Sequence, residues 1–445
     1  MEYFSFIDVF LIPVSLIIIY FIAANIKLRK IDNSPEYRYY VWGLFAKIFG
    51  AIGLCIIYTK YYEGGDTTAY FKSSVALGNL LFKSPGTFFS ILSGNLSPEN
   101  YSHFNFSTGW PAYYNDPTAF SVVRFVSIFT IIGFKRFYLT SIIIAIITYS
   151  GIWRLFLFFC EIKPKIRTYF AISVLFIPSV IFWGSGILKD SFTLAAAGWL
   201  VYCFNNIYTK RKKIPLNILY LIFSIYIILS FKPYLFFSLS IGIFVWITIS
   251  SLNKIKSTFL KTIFFPFLIF IIWSLGSIII GRVGFLIGGD YSSVQNLIEK
   301  AYITQDDLKK DYYHGNSFDI GTFEPTIPSI SSKIPAATIA GLFRPFIWEA
   351  RNPVMILSGI ENLLFLLLTL FLFFRSNPIY FIKSLFKNPV ITFSFVFSIS
   401  FAFAVGLSTS NFGSLVRYKI PLIPFYLSSL FYIYTEYRER NKTLI

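Results

Sequence analysis

Two carboxylates, Glu63 and Asp66, stand three positions apart around a glycine pair in "YYEGGDTTAY" (61–70), in a chain with little charge to spare. A carboxylate can accept a proton, and Asp before a helix-forming run can also cap that helix. Cations recur farther along: Lys189 beside Asp190 in "GSGILKDSF", Lys232 in "FKPY", and Arg417 with Lys419 in "RYKIPLIPFY". The stretch "GLFRPFIWEARNPV" (341–354) interleaves Arg344, Glu349 and Arg351 with Phe343, Phe346 and Trp348. Arg grips phosphate through a planar fork and Lys offers a point charge, so such residues could converge on an anionic ligand. Trp348 could stack on a sugar ring whose hydroxyls meet Arg and Glu. Each has a plainer account as well: Lys189 and Asp190 can neutralise one another, Arg and Lys can snorkel to headgroups, and Trp348 with Phe346 fits an interfacial aromatic belt.

The elements that must hold these residues follow from composition. Of 445 residues, 56% are hydrophobic and only 13% charged, too few to cover a soluble surface. The fold class is therefore all-α, a polytopic membrane protein. The formal charge of +18 is read against the rule that cytoplasmic loops collect Lys and Arg, and no nucleic-acid partner is expected. Cys55, Cys160 and Cys203 lack paired or metal-type spacing, and the two histidines, His103 and His314, stand isolated in polar stretches. No imidazole metal site is expected. The richness in Phe, Ile, Tyr and Lys fits an AT-rich bacterial genome.

Apolar runs of bilayer length, about 17–25 residues, fall near 8–26, 41–60, 137–159, 168–185, 191–208, 214–231, 235–252, 262–281, 353–374, 389–407 and 419–435. That makes eleven transmembrane helices in a single membrane domain, 1–445. The first run has its basic cluster behind it, unlike a cleavable signal peptide, so it stays as a span. Alternate connections, among them "KPKIR" (163–167), "TKRKK" (209–213), "RSNPIYFIKSLFK" (375–387) and "YRERNK" (437–442), are all basic. They belong in the cytoplasm, with the N-terminus outside and the C-terminus inside. Residues 121–134 are short and carry Arg124, so they are read as interfacial or re-entrant. Two large extracytoplasmic loops result: 61–136, with interfacial helices, and 282–352. Lys189, Asp190, Lys232, Arg344, Arg351 and Arg417 all fall at outer span ends, where unpaired charge is costly.

An acidic motif in the first outer loop, "GGDTTAY", followed by short polar corners, "FRPFIWEARNP" and a late "RYKIPLIPFY", resembles the membrane glycosyltransferases of the type C fold, which use lipid-linked donors. It is also similar to the O-antigen and capsule polymerases. The resemblance covers the layout and some forty residues of motif. It implies that Asp66 acts as general base on an acceptor or coordinates a divalent cation, that Glu63 assists, and that Lys189, Lys232, Arg344 and Arg417 hold the phosphate of a polyprenyl-phosphate sugar. The residues themselves, apart from the resemblance, add Asp190, Trp348, Glu349 and Arg351 as substrate-side candidates, and the resemblance implies no other cofactor. The partners would be a lipid-linked sugar donor, a glycan or lipid acceptor and membrane lipids, at the bacterial inner membrane. Two features depart from the family: two spans precede the acidic loop where one is usual, and no second acidic pair follows.

The chemistry suits that side of a membrane, where no nucleotide sugar exists and a donor must ride on lipid. A repeat-unit polymerase would use the same parts. A transporter of lipid-linked saccharides would show charges in the middle of several spans or paired broken helices in two similar halves, and neither is evident. A non-catalytic subunit of an envelope complex would use the long loops for docking. No Walker loop, Gly-x-Ser-x-Gly elbow or His-Glu-x-x-His run occurs, which sets aside ATPase, serine hydrolase and zincin chemistry.

Overall fold

A computed structural model describes residues 3–255, 274, 281–282, 293–310 and 317–442. About 80% of the protein is helical, and no strand occurs among the described residues. Seven helices are long and apolar enough to cross a membrane: Phe6–Lys30, Pro35–Lys60, Phe137–Ile162, Ile214–Phe231, Pro233–Leu252, Pro353–Arg375 and Pro389–Ser408. The chain is thus a helical membrane protein. These seven coincide with seven of the eleven expected spans. Of the rest, 262–281 lies almost wholly outside the described residues. The segment 168–185 is not one helix but two, Arg167–Leu175 and Pro178–Trp183. Pro178 has no amide hydrogen to continue the ladder and forces Ile177 into extended backbone (φ −72°, ψ 124°). Residues 191–208 fall in a helix of 17 residues, Lys189–Asn205, closed by one π-helical turn. The last expected span starts as a 3₁₀ turn, Ile420–Leu422, and continues as Ile423–Lys442, charged in its final turns.

The chain divides into two compact units, Met1–Glu161 with Leu175–Lys232, and Ile162–Val174 with Pro233–Ile445. In the first, α1 (Phe6–Lys30) and α2 (Tyr40–Lys60) are followed by α3 (Asp66–Lys83), α4 (Pro85–Leu92), α5 (Pro98–Ser102), α6 (Pro117–Ile132) and α7 (Phe137–Ile162). Then come α8 (Arg167–Leu175), which belongs to the second unit, and α9 (Pro178–Trp183), α10 (Lys189–Asn205) and α11 (Ile214–Phe231). The connection 61–136 is not a loose loop. Its α3 and α6 pack together, and Phe71, Leu77, Phe120 and Val122 join Phe137 and Phe231 in one buried cluster. Asp8, at the start of α1, pairs with Arg136 just ahead of α7 at 3.2 Å. Helices α1 and α7 therefore begin at the same end of this unit.

Close helix approach in both units rests on small residues, as expected where lipid supplies no hydrophobic drive between helices. A side chain on Gly151 would strike the Ala195 carbonyl, and one on Gly198 the Gly151 carbonyl, so α7 and α10 touch backbone to backbone. In the second unit the same holds between Ile334–Phe343 and Pro389–Ser408, through Gly341 and Gly406. There, Lys163 bonds Glu436 at 2.9 Å and Glu439 at 2.7 Å, and Lys387 bonds Glu436 at 3.1 Å. Burial alone would raise the Glu436 carboxyl, yet hydrogen bonds from Lys163 and Lys387 hold it below its usual value. Three connections read as basic and alike in sidedness thus meet in one ion-pair network.

Candidate functional site

The acidic turn is built on backbone that only glycine adopts freely. Glu63 has φ 53°, Gly64 154° and Gly65 117°. Of the two roles open to Asp66, base and helix cap, the cap position goes to Gly65, and Asp66 is the first helical residue. Its carboxylate sits where the helix dipole favours negative charge and accepts a hydrogen bond from the Tyr113 hydroxyl at 3.3 Å. Asp66 is half-buried, whereas Glu63 is exposed at the entry to the turn. A side chain on Gly65 would lie 2.9 Å from the Tyr58 ring as well as at a disfavoured φ. Gly65→Ala is therefore expected to destabilise the protein by roughly 1–3 kcal/mol, read as a lower thermal midpoint in detergent; an unchanged midpoint would refute the strained turn.

The corner 184–190 delivers two more charges. Gly186 turns the chain at φ 73°, and α10 opens with Lys189 and Asp190. Lys232 reaches Asp190 at 2.5 Å, both side chains are almost fully buried, and Asp190 also acts electrostatically on adjacent Lys189. Lys232 ends α11 because Pro233 follows, so the cation occupies a helix C-terminus and the anion a helix N-terminus, each the favoured end. Lys189, half-buried and ahead of the apolar segment 191–208, has its ammonium pushed below the usual value by burial. Asp116, Asp66 and Asp190 oppose that shift, while Lys232 adds to it.

Three helix starts, of α3, α6 and α10, thus bring Asp66, Asp116 and Asp190 within electrostatic reach of Lys189. Asp116 and Tyr113 were not expected. The signal for Asp116 is "NDPTAF": an Asp before Pro at a helix start, whose carboxylate accepts from the Thr118 and Ala119 amides at 2.9 and 3.0 Å. Lys47 was also passed over. It is a buried lysine within an apolar helix, and its ammonium donates to the Gly184 carbonyl at the base of the same corner.

The second unit holds the remaining expected residues. Arg344 grips Glu349 with its fork, Nε lying 2.9 and 3.1 Å from the two carboxylate oxygens and Nη2 completing the pair. Its Nη1 donates to the Asp319 carbonyl at 3.1 Å, and its guanidinium lies over the Phe318 ring at 4.6 Å. Glu349 also accepts from the Phe346 amide at 2.8 Å. Trp348 stacks on Phe346 at 4.8 Å and is 77% exposed. Arg351 is exposed, and Arg417 is half-buried near the end of the short helix Phe412–Tyr418. Lys419 is buried and bonds the carbonyls of Leu342 and Arg344 at 3.3 and 3.0 Å and Asn362 at 2.6 Å, fastening the "FRPF" turn. Glu361 lies within electrostatic reach of this lysine.

Of the cations expected in one outer pocket, Lys189 and Lys232 thus belong to the first unit, and Arg344 and Arg417 to the second. Among the described residues, no group of three or more His, Cys, Asp or Glu side chains is gathered to hold a metal ion. A divalent cation at Asp66 would have to complete its shell with oxygens of a ligand. Compared with protein-family models, with curated proteins and with solved structures, the chain matches none.

Proposed function

We propose that the chain is a membrane glycosyltransferase that moves a sugar or glycan from a polyprenyl-phosphate carrier to an acceptor hydroxyl at the outer face of a bacterial inner membrane. The observation that carries this reading is the cluster of Asp66, Tyr113, Asp116, Lys189, Asp190 and Lys232 in the first unit. Asp66 accepts the hydroxyl proton, the acceptor oxygen forms the new bond to the sugar's anomeric carbon, and the old bond to phosphate oxygen breaks with its electron pair on the phosphate. Lys189 meets the charge that develops there. The buried Asp190–Lys232 pair sets the position of the helix start that carries Lys189. Arg344 already has its fork on Glu349, so the reading puts the phosphate on Lys189.

The reading keeps eleven spans, with the N-terminus outside and the C-terminus cytoplasmic. Support for that sidedness comes from the Asp8–Arg136 pair and from the Lys163, Lys387, Glu436 and Glu439 network. The test is phosphate capture. With polyprenyl phosphate titrated onto the full chain in nanodiscs, Lys189→Gln is expected to weaken binding about tenfold, the scale of one charge-assisted contact. Equal binding by wild type and variant would overturn the assignment of the phosphate to this lysine.

A further inference from the structure

Residues 103–116 run without helix back along α3, and their attachments fall on one face of it. Ser107 accepts from Lys83, the Thr108 carbonyl from Asn79 at 3.0 Å, and the Ala112 amide donates to Ser73 at 2.9 Å. A side chain on Gly109 would lie 3.7 Å from that of Ala76, and Tyr113 lies against Tyr70 at 5.3 Å before reaching Asp66. The anchors at 83, 79, 76, 73, 70 and 66 repeat every three or four residues. This strap is therefore a straight track that ends at the carboxylate. Its outward side carries Phe106, 95% exposed, and Trp110, 48% exposed, packed edge to face at 4.9 Å.

Hydrocarbon does not cover these rings, because the open backbone beside them could not be satisfied in lipid tails. Exposed aromatics beside the polar, exposed Asn105 and Ser107 offer apolar faces flanked by hydrogen-bonding groups, the chemistry that matches a pyranose chain. At 1.5 Å per residue, Ala76 lies ~15 Å and Lys83 ~25 Å along the helix from Asp66, the reach of a short oligosaccharide. We propose that the strap is a saccharide-binding ledge, on which Phe106 and Trp110 hold the glycan chain whose end is presented to Asp66. This deepens the glycosyltransferase reading and rests on it.

The test uses saturation-transfer NMR on the full chain in nanodiscs, with oligosaccharides released from the source cells' own surface glycan as the probe. Transfer to ring protons is expected for wild type and for Asp66→Asn, which leaves the ledge intact. The pair Phe106→Ala and Trp110→Ala is expected to weaken binding about tenfold or more, with Trp110→Phe restoring part of it. Both sites are exposed, so folding should survive, and thermal melting checks this. Unchanged transfer in the double variant, or no transfer in wild type, overturns the ledge. So does quenching of Trp110 by lipids brominated in the tails. Failure of the glycosyltransferase reading looks different: Asp66→Asn would then keep its product whatever the ledge variants bind.

Discussion

Replacing Asp66 by Asn is expected to cut glycan product by roughly 10²-fold or more, the scale of losing a general base, with the protein still present in the membrane at normal levels. Asn retains the shape of the side chain and an oxygen to accept the Tyr113 hydrogen bond. It also leaves the glycine turn and the start of α3 in place. What it lacks is a site for the acceptor's proton. Glu63→Gln should cost far less, because Glu63 is exposed at the entry to the turn and faces no described partner at this site. Product is measured as glycan extracted from cells that carry the variant as their only copy. Full activity of Asp66→Asn with loss in Glu63→Gln would reverse the two roles. Full activity of both would make the turn structural and remove the main support for an enzyme.

Breaking the buried ion pair should have the largest effect on stability. Asp190→Ala or Lys232→Met is expected to cost about 3–5 kcal/mol, because each leaves one charge buried without compensation. Both side chains are nearly inaccessible, so solvent screening does not soften the loss. The double variant, Asp190→Leu with Lys232→Met, removes both charges and should recover most of that stability. It should recover product only in part, since apolar packing does not fix the helix start that carries Lys189 in the position set by the ion pair. Thermal unfolding in detergent separates the cases. Single variants within ~0.5 kcal/mol of wild type, the range of ordinary surface changes, would sink the claim that this pair holds the helix start.

Much of the layout was legible in the sequence because hydropathy is a local sum. Seven apolar runs became seven helices of bilayer length, and the charges at the ends of α10 and α11 could be placed from the glycines and proline beside them. The start of a helix at "GGDTTAY" was legible too, although the capping role went to Gly65, whose left-handed backbone leaves the carboxylate one position inside. Partner choice was not legible. Asp190 could have paired with adjacent Lys189, yet neighbours at the start of a helix project in different directions, and the lysine that faces it is 42 positions away. Tyr113 reaches Asp66 across 47 positions, and Asp116 joins the same field only because α6 packs on α3. The reverse occurred at Arg344, which looked available for phosphate and is held by Glu349 five residues on, since the intervening turn folds back. Local hydropathy and turn residues were enough for a helical membrane protein and for the residues that stand at helix ends. The tertiary structure decided which charges meet, because helix formation depends on neighbours along the chain, whereas a buried charge must find its partner wherever packing brings one.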